Sequence, residues 1–166
     1  MKNTIKTVLV LFLFTSAVVT AQDIKIPENV KLEKAEDYTK MEPLVLESIA
    51  WLQNTSLTEN PEKRKKVNAF LIQWLTGSPT VSIELVSGIV PMECADCLMT
   101  FLAGWTKYSL ENNYSKDKIA GAVAGVEHTI EFYKKNKDAL GKQPDIEKLM
   151  RRKKKGKLEK FIKSKF

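Results

Sequence analysis

Two cysteines carry most of the chemistry that this sequence offers. Cys94 and Cys97 are the only two in 166 residues, and they stand three apart in Met92-Glu93-Cys94-Ala95-Asp96-Cys97. The spacing places both in the first turn of a helix. Pro91 suits a helix start, and Cys94, Leu98, Phe101, Leu102, Trp105 and Tyr108 then recur on one helical face. Glu93 and Asp96 suit the positive end of that helix's dipole. Such a pair admits four chemical states. It can close a small disulfide, as an exported protein readily does, contributing only about 2 kcal/mol for so short a loop. It can act as a redox pair, because a helix N-terminus lowers a thiol pKa. It can bind a soft metal, Cu(I) or zinc, with Met92 as a thioether donor. It can also be two small buried hydrophobes. His128, the only histidine, is a candidate third ligand of a Cys₂His set that needs one more donor, or a residue packed in a helix seam. One histidine among many serines and aspartates selects no Ser-His-Asp or Cys-His arrangement.

Ahead of the cysteines, Val81, Ile83 and Leu85 alternate with Ser82 and Glu84 at the period of a half-buried strand. With that run, the Met-x-Cys-x-x-Cys segment resembles the metal loop of heavy-metal-associated copper chaperone domains. The resemblance spans roughly residues 80–102 and implies Cu(I) or zinc held by Cys94, Cys97 and Met92. That family continues with further strands and a second helix in a ferredoxin-like order, whereas the residues after Trp105 read as helical. The likeness to thioredoxin is poorer, since no aromatic precedes Cys94 and there is too little strand pattern for a central sheet. Attachment of a c-type haem is excluded because Leu98, not histidine, follows Cys97.

The elements that position these residues are mostly helical. Val45, Ile49 and Leu52 share one face of a helix over 41–53, with Trp51 at its side and Pro43 in its first turn. Asn60 and Pro61 open a second helix, in which Val67, Phe70, Leu71, Trp74 and Leu75 recur at helical spacing until Gly77 and Pro79 end it. Beyond the cysteine helix, Ser115 is expected to cap a helix running to about Asn136. Its residues Ile119, Val123, Val126, Ile130 and Tyr133 share one face, and Gly121, Gly125, His128 and Phe132 lie opposite. Two glycines weaken a helix by about 1 kcal/mol each, so another helix backbone is expected to approach closely there. Gly141 and Pro144 mark a break, and a further helix begins at Asp145. The fold class expected is a single, mainly α bundle of about five helices, with at most one short strand or hairpin near residues 80–87.

The ends bound the compartment and the partners. Lys2 and Lys6, the apolar run 8–14 and the small residues Val19-Thr20-Ala21 read as a signal peptide cleaved after about Ala21. Residues 22–40 read as an extended polar arm, residues 41–150 as the helical domain, and residues 151–166 as a basic amphipathic tail. The formal charge is +7. Without the leader's two lysines and the tail's +8, the body is left at −3. The run Arg151, Arg152, Lys153, Lys154 and Lys155 is a candidate contact for an anionic membrane surface. Its alternative is a solvated, partly frayed terminal helix. Nucleic acid is not expected as a partner of an exported chain without a nucleic-acid motif. No phosphate loop, His-Glu-x-x-His or Gly-x-Ser-x-Gly is present. The sequence thus points to an exported, periplasmic or secreted, non-enzymatic helical protein that binds a protein or small ligand through its concave or glycine-lined helix faces. Soft-metal binding or thiol redox chemistry at Cys94 and Cys97 is the alternative.

Overall fold

The computed structural model describes residues 24–166; the expected signal peptide lies outside them. Seven helices follow in order: α1 Ala35–Asn54, α2 Pro61–Gly77, α3 Ala95–Glu111, α4 Lys118–Lys135, α5 Lys137–Leu140, α6 Pro144–Lys154 and α7 Leu158–Lys163. The architecture is mainly α, as expected, and five of the helices exceed ten residues. Among the described residues there is no strand. Residues 80–86 form an irregular connection, with Val81 buried and Leu85 50% exposed, so the alternation in that run does not build a strand.

Two buried clusters build the core. One joins α1 and α2 through Val45, Ile49, Leu52, Val67, Phe70 and Trp74, and Ile24 packs into it from the N-terminal segment. The other joins α3, α4, α6 and α7 through Phe101, Trp105, Val126, Ile130, Leu149 and Ile162. Ile83, in the connection between α2 and α3, packs against both. The apolar periodicity of each long helix therefore faces inward, as the spacing requires.

Local departures from the sequence reading have physical causes. α1 starts at Ala35 rather than Met41, because the Asp37 carboxylate accepts the N–H groups of Glu33 and Lys34 at 3.1 and 3.0 Å. Pro43 thus sits inside the helix, on its exposed side, where water can reach the carbonyl that loses its donor. The segment before α1 is docked rather than free: Gln73 Nε2 donates to Val30 O at 3.2 Å, and Ile24 is 2% exposed. α4 is capped by Asp117, whose Oδ1 accepts from the N–H groups of Ile119 and Ala120 at 2.9 and 3.0 Å. Ser115 instead accepts from Asp117 N–H, two residues further on, at 3.3 Å.

α4 is the central helix, touching α3, α5, α6 and α7. It runs antiparallel to α3, and the glycines set their separation. A methyl group on Gly104 would lie 2.4 Å from His128 Cβ, one on Gly121 2.4 Å from Trp105 Nε1, and one on Gly125 2.8 Å from Phe101 O. The close approach expected at Gly121 and Gly125 is therefore present, and both glycines are buried in the α3–α4 seam. That same burial removes the glycine-lined face from the candidates for a contact surface.

Candidate functional site

α3 begins immediately after Cys94, whose sulfur accepts the N–H of Cys97 at 3.2 Å and caps the helix. The two cysteines form a disulfide, with an S–S distance of 2.01 Å and Cα atoms 5.1 Å apart. Cys97 is fully enclosed at 0% exposure, whereas Cys94 retains 8%. The pair belongs to the α3–α4 cluster beside Ile89, Val90 and Phe101. In this oxidised state neither sulfur is a thiolate, the form that ligates a metal. Met92 stands apart from the core at 59% exposure. Among the described residues, no three His, Cys, Asp or Glu side chains gather as a metal-ligand set.

His128 does not join the cysteines. Its Cβ packs on Gly104, seven residues along α3 from Cys97, or about 10 Å at the helical rise. The Nε2 atom is buried without a hydrogen-bond partner, and the backbone carbonyl accepts from Gln53 Nε2 at 3.3 Å. Burial, followed by the charge of Lys107, pushes the imidazole from its usual 6.5 down to about 4. His128 is thus a neutral seam residue, the packing alternative to a metal ligand.

The cleft beside Cys94 is small, about 190 Å³, and lies between the 87–94 segment and the start of α6. Pro91, Met92 and Cys94 form one wall, and Pro144, Asp145 and Leu149 face them. A larger groove of about 510 Å³ opens on α4, α5 and α6. Ile130 and Met150 form its apolar part, and Lys134, Lys137, Arg151, Lys153 and Lys154 surround them. Its one acid, Glu147, pairs with Lys137 at 3.3 Å and accepts from Tyr133 Oη at 3.2 Å. Burial acts to raise its carboxyl pKa, but those two partners outweigh it and hold the group ionised. Lys153 reaches Glu127 at 3.0 Å, and Lys134 reaches Glu131 at 2.9 Å. Arg151 and Lys154 have no carboxylate partner among the described residues.

The basic run therefore divides. Arg151, Lys153 and Lys154 line the groove, Arg152 stacks 3.9 Å over the Phe161 ring, and Lys155 is exposed beyond the helix end. Cations in the last turn also suit the negative end of the α6 dipole. The tail is not a frayed end, because Leu158 and Ile162 of α7 are core residues at 4% and 0% exposure. Leu158 and Ile162 are consequently committed inside the protein, whereas Phe166 is 43% exposed.

Arg64 is a functional-looking buried residue that apolar periodicity does not mark. This arginine is 5% exposed, donates from Nη2 to Thr55 O at 2.7 Å and to Ser56 O at 3.2 Å, and lies between the Trp51 and Phe132 rings, 5.7 Å from each. Burial lowers its pKa, opposed by the charges of Asp96 and Glu59. The signal was available: residue 64 falls on the same helical stripe as Val67, Leu71 and Trp74. Comparison with known families, with characterised proteins and with solved structures finds no match.

Proposed function

We propose that this chain is a non-enzymatic binding protein of an exported type, and that its ligand is an anionic amphiphile: an apolar chain ending in a carboxylate or phosphate. The observation that carries this reading is the α4–α5–α6 groove, in which apolar Ile130 and Met150 lie among five cations. Its volume of about 510 Å³ falls within the usual range for small-molecule sites, ~300–1,000 Å³. An acyl chain laid over half-buried Met150, with buried Ile130 closing the floor beneath, gains about 0.8 kcal/mol for each methylene removed from water. The head group then meets Arg151 and Lys154, whose charges have no carboxylate partner among the described residues. Lysine stems extend the apolar contact while their ammonium groups stay solvated. A free amphiphile suits this site better than a membrane surface, because a flat bilayer meets the cations but not the recessed apolar residues.

Calorimetric titration of the mature protein with dodecanoate, at low and high salt, tests the reading. Saturable binding that weakens with salt and is lost in an Arg151→Glu/Lys154→Glu variant supports it. Titrations with inorganic phosphate and with anionic phosphatidylglycerol vesicles separate the alternatives. If phosphate binds as tightly as dodecanoate, the apolar part of the groove is irrelevant. If only vesicles bind, the surface is a membrane contact. If dodecanoate does not bind, or binds equally to the double variant, the reading is wrong.

A further inference from the structure

The disulfide offers a second activity, independent of the groove. We infer that the Cys94–Cys97 pair exchanges with thiols of a reduced cysteine-bearing peptide segment, and that Cys94 is the sulfur attacked.

Thiol–disulfide exchange needs a thiolate to approach one sulfur along the S–S axis, from the side opposite the leaving sulfur. Cys97 is closed to any such approach at 0% exposure. Cys94 is not, since it lines the cleft of about 190 Å³ between the 87–94 segment and the start of α6. The fold thus makes the two residues inequivalent: Cys94 borders a cleft and keeps 8% of its surface exposed, and Cys97 lies wholly inside the core. The 87–94 segment that borders the cleft is irregular, and Met92 within it is 59% exposed.

The helix start supplies the second requirement. Cys94 caps α3, and its sulfur already accepts the Cys97 N–H at 3.2 Å. The first-turn amides of α3 have no partners one turn earlier in the helix, so they are placed to stabilise a thiolate released there. Glu93, Asp96 and Asp145 stand in the same region and act in the opposite sense, which limits how far that thiolate is favoured.

The reaction balances with one named co-reactant, a partner dithiol. A partner thiolate attacks Cys94 Sγ, the Cys94–Cys97 bond breaks, and Cys97 leaves with the electron pair and takes a proton. The partner's second thiolate then attacks its own sulfur in the mixed disulfide, and Cys94 leaves as a thiolate and is protonated. Two electrons pass from the partner to this chain. The partner ends as a disulfide and this chain as a dithiol.

Three measurements on the mature chain test the inference. In native buffer with dithiothreitol, the disulfide should open at a rate proportional to reductant, with the far-ultraviolet circular dichroism unchanged. A rate that levels off at the rate of global unfolding would overturn the inference, because it would mean that the bond opens only in the unfolded chain. Brief alkylation of the reduced, folded chain with iodoacetamide should label Cys94 at least about tenfold faster than Cys97, as exposure and thiolate character dictate. Equal labelling overturns the assignment of Cys94. Finally, Cys97→Ser incubated with oxidised glutathione should gain one glutathione at Cys94, whereas Cys94→Ser should gain none while folded. The reverse pattern also overturns it. The first two measurements need no variant and stand even if a substitution impairs folding.

Discussion

Gly125 lies against Phe101 with no space for a side chain between them: a methyl group on the glycine would fall 2.8 Å from both the Phe101 ring and its carbonyl oxygen. Phe101 is fully buried and packs edge-on against Trp105 at 5.9 Å, so the ring has nowhere to retreat. Helix propensity and packing therefore make opposite predictions for Gly125→Ala. Propensity alone would stabilise α4 by about 1 kcal/mol. Forcing α3 and α4 apart costs about 1–3 kcal/mol, as overpacking does in other cores, and should win. Urea denaturation is expected to show a lower midpoint for the variant. A raised midpoint would mean that the α3–α4 seam yields more easily than this packing implies.

Arg64 holds the α1–α2 connection from beneath. Its guanidinium supplies the carbonyls of Thr55 and Ser56 at 2.7 and 3.2 Å, while Asn136 Oδ1 accepts from Leu57 N–H at 2.7 Å in the same loop. Arg64→Met keeps an apolar stem but leaves both carbonyls without that donor, at a cost of about 2–4 kcal/mol. Arg64→Lys should recover only part of that loss: Nη2 alone serves both carbonyls, a role an ammonium can share, but an ammonium has no planar face to lie between the Trp51 and Phe132 rings. Denaturation midpoints of the two variants check this, and a lysine variant as stable as the parent would contradict the stacking argument.

These two sites show what the sequence made legible. Helix periodicity is a local property, so the faces holding Val67, Phe70 and Trp74, or Val126, Ile130 and Tyr133, could be read directly. So could the need for close approach at Gly121 and Gly125, because two glycines in a helix require a compensating contact. What faced those glycines could not be read, since α3 and α4 meet through tertiary packing. The strand-like run 81–86 misleads for a related reason. Its alternation holds only for Val81 and Ile83, which turn towards the core, whereas Leu85 is 50% exposed, and a connection lying on helices can bury alternate residues without joining a sheet. Arg64 stayed hidden inside the run Lys63-Arg64-Lys65-Lys66, where three neighbouring lysines suggest a solvated surface. For the cysteines, spacing fixed their place at a helix start, but only the packing of the 87–94 segment determined that Cys97 is closed and Cys94 borders a cleft.

The tail prediction follows from α7. Ile162 is fully buried and Leu158 nearly so, so Ile162→Ala should cost about 2–5 kcal/mol, as for other fully buried aliphatic residues. Deleting residues 151–166 would remove core side chains together with the basic run, and its effect on any binding could not be assigned to charge. Charge reversal at exposed Arg151 and Lys154 is the cleaner change. Thermal unfolding should separate the two kinds of variant: Ile162→Ala loses stability, whereas Arg151→Glu/Lys154→Glu stays close to the parent. Comparable losses would show that the basic residues are structural.

The last prediction concerns acid. Burial, and then Lys107, hold the His128 imidazole at about 4 in the folded protein, against an ordinary value of 6.5. The unfolded chain therefore binds a proton at His128 at higher pH than the folded chain does. Stability should be fully present above pH 6.5, fall as the pH drops through the window towards 4, and level off below it for this group. The slope approaches about 1.4 kcal/mol per pH unit, for a loss on the order of 3 kcal/mol across the window. Paired carboxylates add a loss of the same sign at lower pH. Glu131, held down by its hydrogen bond to Lys134, and Glu147 both have carboxyl pKa values below the ordinary 4.5. The range from pH 5 to about 6.5 consequently isolates His128, whose ordinary pKa marks its upper edge. His128→Gln carries no titrating group, so its urea midpoint should be flat over that range while the parent's declines. Parallel declines in both proteins would mean that the imidazole is solvated in the folded state and that the α3–α4 seam is open at Gly104.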